Sequence, residues 1–337
     1  MKRKTIAPAL VMALALAGCS GSNLGGSQAD SAASGSSGCE GDDFPSKTIE
    51  IVVPYAAGGG TDTVARALAD AAKEYLPNKP SVIVTNKPGA SSTLGIAAVA
   101  NAKPDGYTLA AVTSTGLAIQ PHLPETPYEV DDLQPVVQAV SSPQVLLVKN
   151  DAPWQTIDEW LKYMKENPGF KYASANTLGT ASVAMTALSS AAGIETKNVP
   201  FEGAAPSVTA LLGGHVQGAA VQSFEAMAQM KAGTVRALVN VGSSPIKGYE
   251  DVPLASEVWP DVEYDVFTGL AAPAGVCEEN LKILDKAFSQ ALENPKVIEQ
   301  FANIGVEPAY AGPEDFREII KTSHDKIGAI VEDTKTP

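Results

Sequence analysis

Residues 54–62, Pro-Tyr-Ala-Ala-Gly-Gly-Gly-Thr-Asp, set three consecutive glycines between an apolar run and the start of a helical pattern. Glycine lets the main chain approach a ligand closely, and the first turn of a helix offers unpaired N–H groups at the positive end of its dipole. Together these bind an anion without a basic side chain. Tyr55, Ala56, Ala57, Gly58, Gly59, Gly60, Thr61 and Asp62 are therefore candidate ligand-binding residues. Asp62 is expected to N-cap the helix and to pair with Arg66 one turn on. A P-loop would need Gly-Lys-Ser/Thr where Gly60-Thr61 stands, and a dinucleotide fingerprint would need glycine where Thr63 stands. Neither nucleotide motif fits.

Similar junctions follow other strand-like runs: Ser114-Thr115, Gly179-Thr180-Ala181-Ser182, Phe201-Glu202-Gly203-Ala204 and Gln222-Ser223. Each alone reads as a helix cap. As a set they lie where open α/β sheets place ligands, at the carboxyl ends of strands.

The elements that must position them alternate short β-rich runs with helical patterns, the signature of βαβ units. Strands are expected at 48–55, 81–85, 107–113, 145–148, 170–174, 197–199, 216–221, 235–241 and 266–271. Helices are expected at 63–75, 92–102, 156–167, 180–192, 206–212, 224–232, 281–293, 295–304 and 313–331, with no strand between the last two. Chain crossings near 145–150 and 262–270 divide the body into one lobe of residues 44–147 with 268–337 and a second of residues 148–267.

Lys2, Arg3 and Lys4 precede an apolar stretch from Ile6 to Ala17, the layout of an export signal too short to span a bilayer. Leu16-Ala17-Gly18-Cys19 resembles the lipobox of bacterial lipoproteins. Cleavage would leave residues 1–18 as signal and a lipidated Cys19, and two acyl chains give stable anchoring where one does not. An ordinary signal beside an incidental cysteine is the alternative. Residues 19–43, rich in Ser, Gly and Ala, read as a flexible tether with a reach of about 25 Å.

Of the other cysteines, Cys39 and Cys277 either bridge or remain free thiols, and an exported compartment permits the bridge. No Cys-x-x-Cys occurs and His122, His215 and His324 are scattered, so no metal is expected. Losing three basic residues with the signal moves the formal charge from −14 to −17, which disfavours nucleic acid and anionic lipid as partners. No Gly-x-Ser-x-Gly or His-Glu-x-x-His supports a hydrolase. The paired acids Asp131/Asp132, Glu278/Glu279 and Glu314/Asp315 sit where helices begin and read as dipole compensation.

Residues 51–59 with Asp62, Ala65 and Arg66, then Asn86-Lys87-Pro88-Gly89-Ala90, Lys103 to Leu109, Val199 to Gly203, and Lys231-Ala232-Gly233 with Arg236-Ala237-Leu238 resemble the Bug-type, TctC-like receptors. These are the extracytoplasmic solute-binding proteins of tripartite tricarboxylate transporters. The resemblance implies an α/β, periplasmic-binding-protein-like (type II) Venus flytrap: two α/β lobes, a hinge and a central ligand cleft. It implies binding of a small di- or tricarboxylate or aromatic carboxylate, delivery to membrane permease subunits, no cofactor and no catalysis. The protein is expected to be a monomer on the outer face of the cytoplasmic membrane or a periplasm-facing membrane. Val183 stands where the family often has histidine, Phe201 where tyrosine is usual, and Ala220-Val221-Gln222 where Phe-Asp-Asn is frequent. These departures imply a less polar distal pocket and an aromatic or partly apolar acid. Gly59→Val is expected to abolish binding with the fold intact. A receptor that signals to a sensor kinase would use the same cleft.

Overall fold

The computed structural model describes residue 39 and residues 43–175, 177–201 and 203–335. The expected signal, the lipidated Cys19 and all of the tether except Cys39 and Asp43 lie outside the described residues.

The first stretch of chain builds β1 (Ile49–Val53), α1 (Gly60–Ala72), β2 (Val82–Asn86), α2 (Thr93–Ala100) and β3 (Thr108–Thr113). β2, β1 and β3 pair side by side, all parallel. Successive residues of a strand face opposite ways, and the cores follow that alternation. Ile49, Ile51 and Val53 face Val64 and Leu68 of α1, while Val52 faces Ile96 and Val99 of α2. Burying each such aliphatic side chain contributes about 1.5–3 kcal/mol.

The chain then enters β4 (Leu133–Lys149), a 17-residue strand of which sequence periodicity shows only residues 145–148. Beyond it lie α3 (Ile157–Glu166), β5 (Phe170–Ser174), α4 (Thr180–Ala192), β6 (Thr196–Pro200), α5 (Ala204–Leu212), β7 (Gly218–Gln222), α6 (Ser223–Lys231) and β8 (Val235–Asn240). β6, β5 and β7 are parallel neighbours, and β7 and β8 both pair antiparallel with the end of β4, residues 144–149. Trp160, Met164, Phe170 and Leu188 fill one face of this half, and Val208 and Leu211 cover the other.

The return segment, β9 (Asp265–Pro273), runs antiparallel to β3 and to residues 133–143 of β4. Pro143 stands where the partner of β4 changes from β9 to β7 and β8. Proline has no N–H to give a ladder, so a change of partner is where a strand tolerates it. α7 (Glu278–Leu292), α8 (Pro295–Asn303), β10 (Pro308–Ala311) and α9 (Pro313–Lys335) complete the chain. β10 corrects the expectation of no strand between the last two helices: it pairs antiparallel with β4, with a register shift between Pro308 and Ala311. Ile327 and Val331 of α9 pack with Ala118, Ile119 and Val183 of α4, joining elements of the two sheet halves.

Cys39 and Cys277 are disulfide-bonded, Cα to Cα 5.7 Å, across 238 residues of sequence. Among the described residues, the one group of histidine, cysteine and acid side chains close enough to hold a metal is Cys39, Cys277 and Glu279, and its two sulfurs are already joined to each other. No helix among the described residues is long and apolar enough to cross a membrane.

Candidate ligand-binding cleft

Helix α1 begins at Gly60, one residue after an extended N-cap, Gly59. Asp62 is therefore not the cap but lies in the first turn, which corrects the sequence reading. Its carboxylate is 3 % exposed and turned inward. It accepts from the Gly58 N–H at 2.8 Å, from Arg66 Nε at 3.0 Å, as the i,i+4 expectation had it, and from Asn86 Nδ2 at 2.8 Å. Burial pushes the carboxyl upward, but the bonds from Arg66, Gly58 and Asn86 outweigh it and hold Asp62 below its ordinary value. A carboxylate depressed in the folded state stabilises it above the unfolded value of about 4 and loses that contribution as pH falls further. Asn86 also donates to the Tyr55 carbonyl at 3.1 Å, so this network holds the whole loop.

With Asp62 committed inward, the first-turn N–H groups of Gly60 and Thr61 have no intrahelical acceptor. Gly60 and Thr61 line a cavity of about 240 Å³ with Tyr55, Thr113, Thr115, Thr180, Gln222, Glu225 and Thr268. Val64, Val140, Phe224, Val266, Ile304 and Val306 form its apolar wall. A second cavity of about 130 Å³ shares Thr115, Thr180, Gln222 and Glu225 and adds Gln144, Ser174, Gly179, Ala181 and Ser182. Among the described residues, no lysine, arginine or histidine lines either one.

The far wall repeats the device of the near one. α4 starts at Thr180 after Gly179, whose N–H is bonded to Ser182 Oγ at 2.9 Å. α6 starts at Ser223 after Gln222, whose N–H is bonded to Glu225 Oε2 at 3.0 Å. Three helix N-termini thus open on the same space. Gln144 Nε2 donates to Thr180 Oγ1 at 2.9 Å, leaving the Thr180 hydroxyl proton free for an acceptor in the cavity. Tyr55 Oη and Thr113 Oγ1 lie 2.7 Å apart, and burial pushes the Tyr55 phenol up, so it stays neutral and able to donate.

Of the residues expected from sequence, Tyr55, Gly60, Thr61, Thr115, Gly179, Thr180, Ala181, Ser182 and Gln222 are brought together at these walls. Ala56, Ala57, Gly58 and Gly59 are exposed and line neither cavity. Ser114 is buried and accepts from the Phe267 N–H at 2.9 Å, and Ser223 is buried in the first turn of α6. Phe201 and Ala204 pack against the Val208–Leu211 core, with Gly203 capping α5 between them. Gln144 and Glu225 are additions. A polar residue inside the run from Val136 to Val148, and a glutamate three residues after Gln222 as in a capping box, are the signals that mark them.

A family model described as the tripartite tricarboxylate transporter family receptor, TctC, matches residues 64–335. The chain belongs to this family. Protein BugT of Bordetella pertussis is 30 % identical over 302 residues, which cover 87 % of this chain and 91 % of BugT. A crystal structure of a TctC solute-binding protein from Polaromonas, without ligand, superposes with a TM-score of 0.79 at 32 % identity, covering 86 % of this chain and 99 % of that one. MatC from Rhodopseudomonas palustris, solved with bound malate, gives 0.68 at 28 % identity, covering 86 % and 100 %. The fold is the mixed α/β fold of periplasmic solute-binding proteins, and the protein is a TctC-family solute-binding receptor.

The receptor's family-like segments have visible structural work. Asn86 and Arg66 hold the Asp62 network, and Gly106 takes a φ of +84° where the turn leads into β3. Arg236 on β8 donates to the carbonyls of Asn150 at 2.6 Å, Ala152 at 3.1 Å and also Trp154, pinning the connection from β4 to α3. These residues shape the scaffold around the cleft and do not line it.

Proposed function

We propose that this TctC-family receptor captures a small carboxylate in the cleft where α1, α4 and α6 begin and delivers it to the membrane subunits of a tripartite transporter. One observation carries the reading: three helix N-termini and a set of hydroxyls converge on a space into which no basic side chain of the described residues projects. Main-chain dipoles supply the positive potential an anion needs. A combined space of this size admits a small metabolite and excludes a polymer. The bound malate of MatC, a relative at 28 % identity, is in keeping with it.

The apolar wall of Val64, Val140, Phe224 and Ile304 gives the remainder of such an acid a dry surface, which supports an acid with a partly apolar or aromatic body. The receptor acts as a monomer, held to the membrane by lipid on Cys19 while the tether lets it load and dock. Residues 44–147 with 268–337 form one lobe and 148–267 the other. β4 and β9 connect them and are the strands about which the lobes close, the closed form being populated when ligand completes the site. Its role is binding without catalysis, and the Ser182 hydroxyl, which donates to the Gly179 carbonyl, serves its own helix cap.

A thermal-shift screen of dicarboxylates, tricarboxylates and aromatic acids tests this. At one hundred times its Kd a ligand adds about 2.7 kcal/mol, and a Tm rise of about 5 °C is expected from at least one acid. Silence from every class at millimolar concentration would contradict the proposal.

A further inference from the structure

Among the described residues, Glu225 is the one ionisable carboxylate on the walls of the two adjoining cavities, and it faces a space otherwise built to receive an anion. Its Oε2 accepts the Gln222 N–H at 3.0 Å, so that oxygen is taken by the helix cap. Among the described residues, Oε1 has no hydrogen-bond partner. The side chain keeps contact with solvent, yet the surrounding cleft atoms desolvate it enough to raise the carboxyl above its ordinary value. Nearby, Gln144 is 2 % exposed, and its carbonyl oxygen, Oε1, is buried without a partner. The same wall that offers donors at α4 and α6 therefore also holds one buried acceptor in need of a donor, Gln144 Oε1, and beside it the free, solvent-touching oxygen of Glu225. A bare carboxylate placed here would meet like charge at Glu225 with no cation between them.

We infer that the ligand carries, besides its carboxylate, a hydrogen-bond donor, a hydroxyl or an ammonium, that is received by Glu225 Oε1. The inference rests on the carboxylate reading above and narrows it to hydroxy or amino acids. Helix N-termini and Thr180 bind the carboxylate end, and Glu225 reads the substituent beside it. Water reaches Glu225 Oε1 in the open cleft, but a bound ligand displaces that water, so an analogue lacking the donor leaves the acceptor unpaired and binds more weakly.

Two frames of matched acids provide the test: succinate, malate and aspartate, and phenylacetate, mandelate and phenylglycine. Each triplet differs only in hydrogen, hydroxyl or ammonium on one carbon, and each would be titrated by calorimetry against the wild-type protein and Glu225→Gln. The glutamine keeps an oxygen for the Gln222 N–H while presenting a donor in place of the free acceptor, and circular dichroism checks its fold. At least one donor-bearing acid is expected to bind wild type tenfold or more tighter than its plain parent, with that ratio falling toward one in Glu225→Gln. Malate against aspartate, or mandelate against phenylglycine, separates hydroxyl from ammonium. A plain parent that binds as well as its donor-bearing partners would overturn the inference while leaving the carboxylate reading standing. A ratio unchanged in Glu225→Gln would also overturn it. No binding by any acid of either frame would tell against both.

Discussion

Gly60→Val is expected to weaken ligand binding at least one hundredfold while leaving the unliganded protein's Tm within about 1 °C of wild type. Gly60 is the first residue of α1 and lines the larger cavity, and a Cβ built there meets nothing within 4 Å. Its φ is not in the left-handed region, so valine brings no backbone strain at this position. The fold has no objection to the new side chain. A ligand does, because the branched carbons stand where it must approach the N–H groups of Gly60 and Thr61, and desolvated donors that lose their acceptor forfeit most of a charged hydrogen bond each. The sequence pointed to Gly59 for this experiment. A Cβ at Gly59 meets only the Ala56 carbonyl at 3.6 Å, so that variant folds too, but Gly60 lines the cavity and Gly59 does not, which makes Gly60 the sharper probe. Gly58, at φ +85°, would confuse the result with strain. Calorimetric titration with the best acid from the screen measures the effect, and an unchanged affinity would remove α1 from the site.

The second large effect concerns stability. The bond from Cys39 to Cys277 closes a loop of 238 residues, nearly the whole described body. Chain-entropy arithmetic for a loop of that length gives about 5 kcal/mol, and native disulfides usually deliver about 2–5 kcal/mol. Cys277→Ser is therefore expected to lower Tm by about 8 °C, with Cys39→Ser and reduced wild type falling by the same amount. Equality among the three is part of the prediction, because the effect belongs to the link and not to either sulfur's packing. Differential scanning calorimetry with and without reductant decides it; a Tm indifferent to reductant would show that the bridge constrains nothing.

How far the sequence carried this account differs from element to element. β5 and α4 have the boundaries that periodicity and capping residues indicate, because their patterns are uninterrupted and flanked by Gly169 and Gly193. β4 was legible only at its apolar end. Pro135, Gln138 and Pro143 break the pattern, and each sits at or beside a register shift or the change of partner strand, which only pairing in three dimensions reveals. β10 has four residues beginning with proline, too few for any periodicity to register.

The strand-to-helix loops after β1, β5 and β7 could be read because glycine, threonine and serine at those junctions have a direct physical meaning. Asp62 was misassigned because an extended Gly59 lets α1 begin earlier than the first strong cap residue, moving Asp62 to the first turn. Gln144 pairs with Gln222 across β4 and β7, a juxtaposition of residues 78 positions apart that no local pattern contains. The junction at Phe201 carries the same glycine signal as the others, but its aromatic side chain packs on a core instead of lining the cavities.

The central claim is that main-chain groups at three helix starts receive the carboxylate. Following backbone amide resonances of labelled protein while titrating the best-binding acid tests it most directly. The largest shifts are expected on Gly60, Thr61, Thr180, Ala181 and Ser223. Shifts that leave these amides unmoved and gather instead along the separate cavity beside Arg317, Lys321 and His324 of α9 would contradict it.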